Sequence, residues 1–236
     1  ISEIGHYVIV IVSVIGSLFG PLILMAYAKG NHDEVKSLFV EQSTIVGCLS
    51  AILTGTISGC GVAILDVWLG NGMGQYNWWL VMKMIVLPYY AAGGIMAFVY
   101  RSWNKMKFPA IGTIVLGVVD ISVLIGVCEL ATPDNAMIIL IISAIFSILQ
   151  CFVLNVIAVC RIYKECKTDF LLISFKITIS FLLCYVCGKL ITSWLHVGNL
   201  LQLGGMLIVV GLVMFTIVFF VVLNKEERGK LLNVVK

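Results

Sequence analysis

Three ionisable side chains interrupt long apolar stretches of this sequence, and these side chains are the ones best placed to do chemistry. Asp120 lies about midway along its stretch, whereas Lys83 and Lys176 each lie about two turns from the end of theirs. A charge at the centre of a membrane helix costs at least ~2.5–3.5 kcal/mol on insertion scales. Ammonium groups at such depths could bind an anion, and a carboxylate could carry a coupling ion, H+ or Na+.

Uncharged polar residues within other apolar stretches extend this set. We predict that Tyr90, Gln150 and Asn155 line a substrate cavity together with the three ionisable residues. Simpler explanations exist for each of them. The lysines could snorkel to the interface, the acid could be protonated or structurally paired, and polar residues could serve only helix packing. A pair between Lys83 and Asp120 is geometrically conceivable, because their helices are consecutive.

Two prolines within apolar stretches predict local bends. Pro21 and Pro88 each lack a backbone donor and crowd the preceding turn, so each is predicted to kink its helix and to act as a hinge. Such kinks are common in membrane helices of every function. They therefore support a membrane protein more strongly than they support any one activity.

Small and polar residues repeat every three or four positions in several stretches, which marks a face that packs against another helix or lines a cavity. Stripes of this kind occur in four stretches. They comprise Gly47, Ala51, Gly55 and Gly59 in the second predicted helix, Ser143, Ser147, Gln150 and Asn155 in the fifth, Lys176, Ser180, Cys184 and Gly188 in the sixth, and Ser13, Gly16, Ser17 and Gly20 in the first.

The elements that must position all of these residues are transmembrane helices. Hydrophobic residues make up 61% of the 236 positions, and the mean hydropathy is +1.11. About 20 apolar residues cross a hydrocarbon core of about 30 Å. We therefore predict an all-α polytopic bundle that forms a single transmembrane domain over 1–236. Its seven helices are predicted at 4–28, 38–68, 78–100, 109–127, 136–163, 170–190 and 200–223.

The loops between these helices alternate between basic and non-basic. Basic loops face the cytoplasm, which puts the start of the chain outside and its tail inside. The net charge of +3 thus reflects topology, and no nucleic-acid partner is expected. The basic residues are Lys29 and Lys36 in the first loop, Arg101, Lys105 and Lys107 in the third, Arg161, Lys164 and Lys167 in the fifth, and Lys225, Arg228, Lys230 and Lys236 in the tail.

Enzyme and receptor classes have little support in the residues. The three histidines fall on opposite sides of the predicted membrane, and no nucleophile–base or metal-ligand spacing is present. We expect no enzymatic activity, no metal and no cofactor. A seven-helix receptor or photoreceptor shares the predicted topology, but the last helix has no lysine that could hold retinal.

Three segments carry a resemblance to a known family. They are 20–39 (GPLILMAYAKGNHDEVKSLF), 64–70 (ILDVWLG) and 103–110 (WNKMKFPA). They resemble the Wzx-type oligosaccharide flippases of the multidrug/oligosaccharidyl-lipid/polysaccharide exporter superfamily. The resemblance covers most of 1–127, and in the last three helices only the topology and the charged tail fit.

The resemblance implies a fourteen-helix, two-lobed transporter with alternating access, of which this chain would be helices eight to fourteen. The N-terminal half of the same protein is then an expected partner, as are membrane lipids. The implied substrate is an undecaprenyl-diphosphate-linked oligosaccharide. It would be moved to the outer leaflet of the bacterial cytoplasmic membrane for surface polysaccharide assembly.

A cation-coupled multidrug exporter of the same superfamily is the main alternative. Asp120 stands where the resemblance implies a neutral Asn, and in an exporter it would carry the proton or sodium ion. Basic residues dominate the candidate cavity, which favours the anionic lipid diphosphate over a lipophilic cation.

Overall fold

The computed structural model describes residues 2–130, 136–163, 166–195, 198–224 and 227–229. The regular structure in these ranges is helical, which confirms the predicted all-α membrane bundle. Six helical segments of the described residues are long and apolar enough to cross a membrane. The first predicted span is a helix of 27 residues, or about 40 Å at 1.5 Å per residue. Only a shorter apolar part of it stands out by composition, so seven spans remain a prediction.

The helices are named in chain order. The α-helices are α1 (Ser2–Ala28), α2 (His32–Gly59), α3 (Gly61–Leu69), α4 (Asn77–Met84), α5 (Leu87–Ser102), α6 (Lys107–Leu130), α7 (Ala136–Ile148), α8 (Leu154–Cys160), α9 (Lys167–Trp194) and α10 (Leu200–Val221). A 3-10 turn at Met73–Tyr76 precedes α4, and a π-helical turn at Leu149–Val153 joins α7 to α8.

Two predicted helices are divided in the structure. The helix predicted over 38–68 starts earlier, at His32, and breaks at Cys60 between two glycines, which are poor helix formers. The helix predicted over 78–100 is interrupted between Met84 and Leu87. Pro88 explains this second interruption, because it cannot donate a hydrogen bond to the carbonyl group four residues earlier.

Helix α2 lies at the centre of the bundle. Most of it is buried, and it contacts α1, α5, α9 and α10. Helices α6, α7 and α8 form an outer group that reaches the centre mainly through α5. Among the described side chains of α6 only Pro109 is buried, so this helix presents apolar side chains around most of its circumference.

The tightest contact in the bundle joins α2 to α9. A Cβ atom added to Gly55 would lie 2.7 Å from the carbonyl oxygen of Phe181. One added to Gly59 would lie 3.0 Å from the Cα atom of Gly188. The predicted stripes of small and polar residues on α2 and α9 therefore face each other. Both serve helix packing, and the stripe on α9 also carries Lys176.

Aromatic side chains join three loops at one end of the bundle. The ring centroids of Tyr27 and Trp103 are 4.5 Å apart, and those of Trp103 and Tyr163 are 5.5 Å apart. The Tyr163 hydroxyl donates a 3.2 Å hydrogen bond to the carbonyl oxygen of His32. Burial, the largest cause, raises the pKa of Tyr163 to about 12. These residues flank the first, third and fifth loops, which are the loops predicted to be cytoplasmic.

Other contacts join the opposite end. The backbone N–H of Gly74 donates to Oδ1 of Asp66 at 2.7 Å, which closes the turn before α4. The side chain of Asn77 donates to the carbonyl oxygen of Ser58 at 3.3 Å. The non-basic second loop and the ends of α2 and α3 therefore meet on one side, as the alternation of loop charge requires.

The α2–α9 contact can be tested with one methyl group. Gly55→Ala is expected to destabilise the bundle by about 1–3 kcal/mol, because the added atom collides with backbone that cannot move aside. Gly211→Ala in α10 is the matched control, because a Cβ atom there meets nothing within 4 Å. Thermal unfolding in detergent, followed by circular dichroism, would measure both. Equal midpoints for the two variants would contradict the close approach.

Candidate functional site

Lys176 forms a buried ion pair with Glu227. The Lys176 Nζ lies 2.7 Å from Oε1 and 2.8 Å from Oε2 of the carboxylate, and each residue is only 7% exposed. Lys176 lies on α9, whereas Glu227 belongs to the segment that follows α10. The predicted cavity lysine is thus neutralised by a residue from the tail.

The segment after α10 is folded back onto the end of that helix. The Arg228 guanidinium donates to the carbonyl oxygens of Leu223 and Phe220, at 2.8 and 2.6 Å. The backbone N–H of Asn224 donates to Glu227 Oε2 at 2.8 Å, which orients the carboxylate. Sequence reasoning treated this tail as a basic segment and missed Glu227. The only signal was that a buried lysine needs an acidic partner.

Small polar residues surround the pair. Ser180 lies one turn beyond Lys176 on the same face of α9. Cys48 of α2 lies near the charges of both Lys176 and Glu227. Ser180 and Cys48 are both fully buried. The Ser180 hydroxyl lies beside the Cys48 thiol, which can serve as its hydrogen-bond partner.

Lys83 lies near the opposite end of the bundle, on α4. It is exposed, and its aliphatic carbons run beside Gly5 of α1, with Cγ 3.3 Å from the position of an added Cβ atom. Within the described residues, Lys83 and Asp120 form no ion pair. The reason is topological, because α7 packs against both α4 and α6. The predicted spans that carry Lys83 and Asp120 are consecutive along the chain, but they do not bring these two side chains together.

Asp120 is half-buried on the outer helix α6. Its Oδ1 atom is shielded from solvent and has no hydrogen-bond partner in the part of the chain that the structure describes. An unpaired carboxylate oxygen in an apolar setting is costly when ionised. This oxygen therefore lacks the partner that a buried carboxylate oxygen usually has.

Asn155 makes three hydrogen bonds between α5 and α8. It accepts from the Tyr100 hydroxyl at 3.0 Å, and its amide group donates to the carbonyl oxygens of Gly93 at 3.2 Å and Cys151 at 2.6 Å. A Cβ atom at Gly93 would collide with the Cys151 carbonyl oxygen. The amide thus secures the π-helical turn against α5.

The remaining predicted residues lie apart from one another. Tyr90 is exposed on α5, and Gln150 is half-buried within the π-helical turn. Pro88 is the second residue of α5, directly after the interruption, whereas α1 continues through Pro21 without a break. The described residues do not bring the predicted cavity residues together around one pocket, so a shared lining remains a prediction.

Comparison with known proteins gives a partial similarity. The chain is 24% identical over 114 residues to the uncharacterized membrane protein EpsK of Bacillus subtilis (strain 168). This match covers 45% of the chain and 21% of EpsK, so it spans about a fifth of the relative's length. No family model and no solved structure matches the chain. The similarity agrees with a membrane protein and assigns no substrate.

The Asn155 bridge is expected to be structural as well as polar. Asn155→Leu should destabilise the bundle by about 1–3 kcal/mol, because it leaves the buried Gly93 carbonyl and the Tyr100 hydroxyl without this partner. Gln150→Leu is the control, since no side-chain hydrogen bond of Gln150 occurs among the described residues. Unfolding midpoints in detergent would compare them. A Gln150 variant that is the less stable of the two would contradict this assignment.

Proposed function

We propose that the chain is part of a membrane transporter that flips a polyprenyl-diphosphate-linked oligosaccharide across the bacterial cytoplasmic membrane. The substrate expected from the resemblance is the undecaprenyl form, used for surface polysaccharide assembly. The protein acts by alternating access and carries out no covalent chemistry. Its bound partners are membrane lipids and the lipid-linked sugar.

The observation that carries this proposal is the buried cation on α9. Ionisable residues within membrane spans are rare, and they usually serve substrate or ion pathways. Lys176 places an ammonium group inside the bundle, paired here with Glu227, and Lys83 places a second one towards the other end. A diphosphate moving between leaflets would meet one cation near each end of its route.

The proportions of the EpsK match support a longer transporter. Because the same 114 residues are 45% of this chain and 21% of EpsK, the relative is about twice as long. We propose that this chain corresponds to the second lobe of a fourteen-helix protein. The outer surfaces of α6 and α10 are rich in exposed Ile, Val, Leu and Phe, which suits contact with lipid or with the other lobe.

Asp120 favours the second candidate, a cation-coupled exporter. Its buried, unpartnered carboxylate oxygen is suited to carrying a proton or a sodium ion. The same residue can also couple an ion gradient to flipping. The two functions therefore differ in the cargo, a lipid diphosphate or a lipophilic cation, and not in the ion.

Transport by the complete protein in proteoliposomes tests the proposal. With a fluorescent polyprenyl-diphosphate oligosaccharide, Lys83→Gln is expected to slow flipping by about 10–100-fold, the equivalent of one lost charge-assisted hydrogen bond of ~1.5–3 kcal/mol. Lys189→Gln, at another exposed lysine, is the control and should flip at the normal rate. No flipping by the unmodified protein, together with efflux of lipophilic cations, would select the exporter instead. This chain alone is expected not to flip the lipid.

A further inference from the structure

The tail carboxylate reaches deep into the end of the bundle that the loop charges place in the cytoplasm. Lys176 is the tenth residue of α9, so it lies about 13 Å along the axis from the start of that helix. The pair therefore lies inside the bundle, near the end predicted to be cytoplasmic. Glu227 is held there by Lys176 and by its own segment, which ends α10.

A buried ion pair of this kind is suited to exchange. Removing two charges from water offsets most of their attraction, so the pair adds little net stability. Loss of one partner is costly, however, because the remaining charge is left uncompensated. Glu227 can therefore leave without a large cost in free energy only if another anion takes its place at Lys176.

The ammonium group of Lys176 can bind a phosphate in place of the carboxylate. It is a compact charge with three N–H donors, and it binds tetrahedral phosphate oxygens as readily as planar carboxylates. In this structure both oxygens of Glu227 contact its Nζ atom, at 2.7 and 2.8 Å. A phosphate has three or more acceptor oxygens and could take their place.

We propose that the Glu227 carboxylate occupies Lys176 reversibly, and that a phosphate group of a lipid diphosphate displaces it. The segment around Arg228 then leaves the bundle, and the cytoplasmic end of the route is open. The identity of the lipid rests on the function proposed above. Displacement of the tail by a phosphate does not depend on completed transport, so the two can fail separately.

Cleavage by trypsin after Arg228 reports whether the tail is docked. The complete protein would be placed in nanodiscs of zwitterionic lipid, and cleavage of the Arg228–Gly229 bond would be followed by mass spectrometry. Polyprenyl diphosphate is expected to speed this cleavage at least tenfold, whereas the uncharged polyprenol should leave it unchanged. Equal effects of the two lipids, or no effect of either, would overturn the proposal.

Variants of the pair separate exchange from misfolding. Glu227→Gln keeps the shape of the side chain and the cation, so its tail should be cut rapidly without any probe. The double swap Lys176→Glu with Glu227→Lys retains opposite charges, so its tail should stay protected but lose the response to the diphosphate. If the double variant still responded to the diphosphate, the phosphate would bind elsewhere, and the proposal would be contradicted. Lys189→Gln should respond as the unmodified protein does.

Two further probes identify the source of the phosphate. Release by inorganic pyrophosphate would assign recognition to the headgroup alone, and release in nanodiscs that contain phosphatidylglycerol would assign it to bulk anionic lipid. Either result supports exchange at Lys176, provided that the double swap abolishes it. Tail release without any flipping would refute only the transport function. Normal flipping with a tail that never responds would refute only the displacement of Glu227 from Lys176.

Discussion

The close approach of α2 and α9 is the contact on which the rest of the bundle depends. Lipid tails are as apolar as leucine, so helices in a membrane gain little from burying apolar surface and associate through close packing instead. Gly55 and Gly59 allow backbone-to-backbone contact with α9. This contact makes α2 the central helix. It also belongs to the same helix pair that buries Lys176, and a buried lysine needs an anion beside it.

A central helix made this way carries hydroxyl groups into the interior. Thr44 and Thr54 satisfy theirs by donating to the carbonyl groups four residues earlier, each at 2.8 Å. Ser43, Ser50 and Ser58 have buried hydroxyls with no partner among the described residues. Unsatisfied polar groups are costly in an apolar medium and are best matched by water or by a polar ligand. The described interior of the bundle therefore contains hydroxyl groups that helix packing alone does not satisfy.

Much of the fold could be predicted from the sequence, because hydropathy and loop charge report directly on the membrane. The basic first, third and fifth loops meet at one end of the structure, and the non-basic second loop lies at the other. The break at Cys60 and the partner of Lys176 could not be predicted in the same way. Cys60 lies between two glycines in a continuous apolar run, and Glu227 is 51 residues from Lys176, where no helical periodicity connects them. The bonds of Asn155 to Tyr100 and Gly93 are likewise long-range.

Two irregular regions of the helices, one interruption and one π-helical turn, lie side by side. The interruption before Pro88 removes backbone hydrogen bonds from the α4–α5 span, and the π-helical turn loosens the α7–α8 span. Gly93 and Asn155 join the two regions. The outer helices α6 to α8 reach the central helix mainly through α5, so the contact between Gly93 and Asn155 lies where this outer group meets the centre. The hydrogen bonds of Asn155 thus hold the π-helical turn in register with α5, directly after the interruption at Pro88.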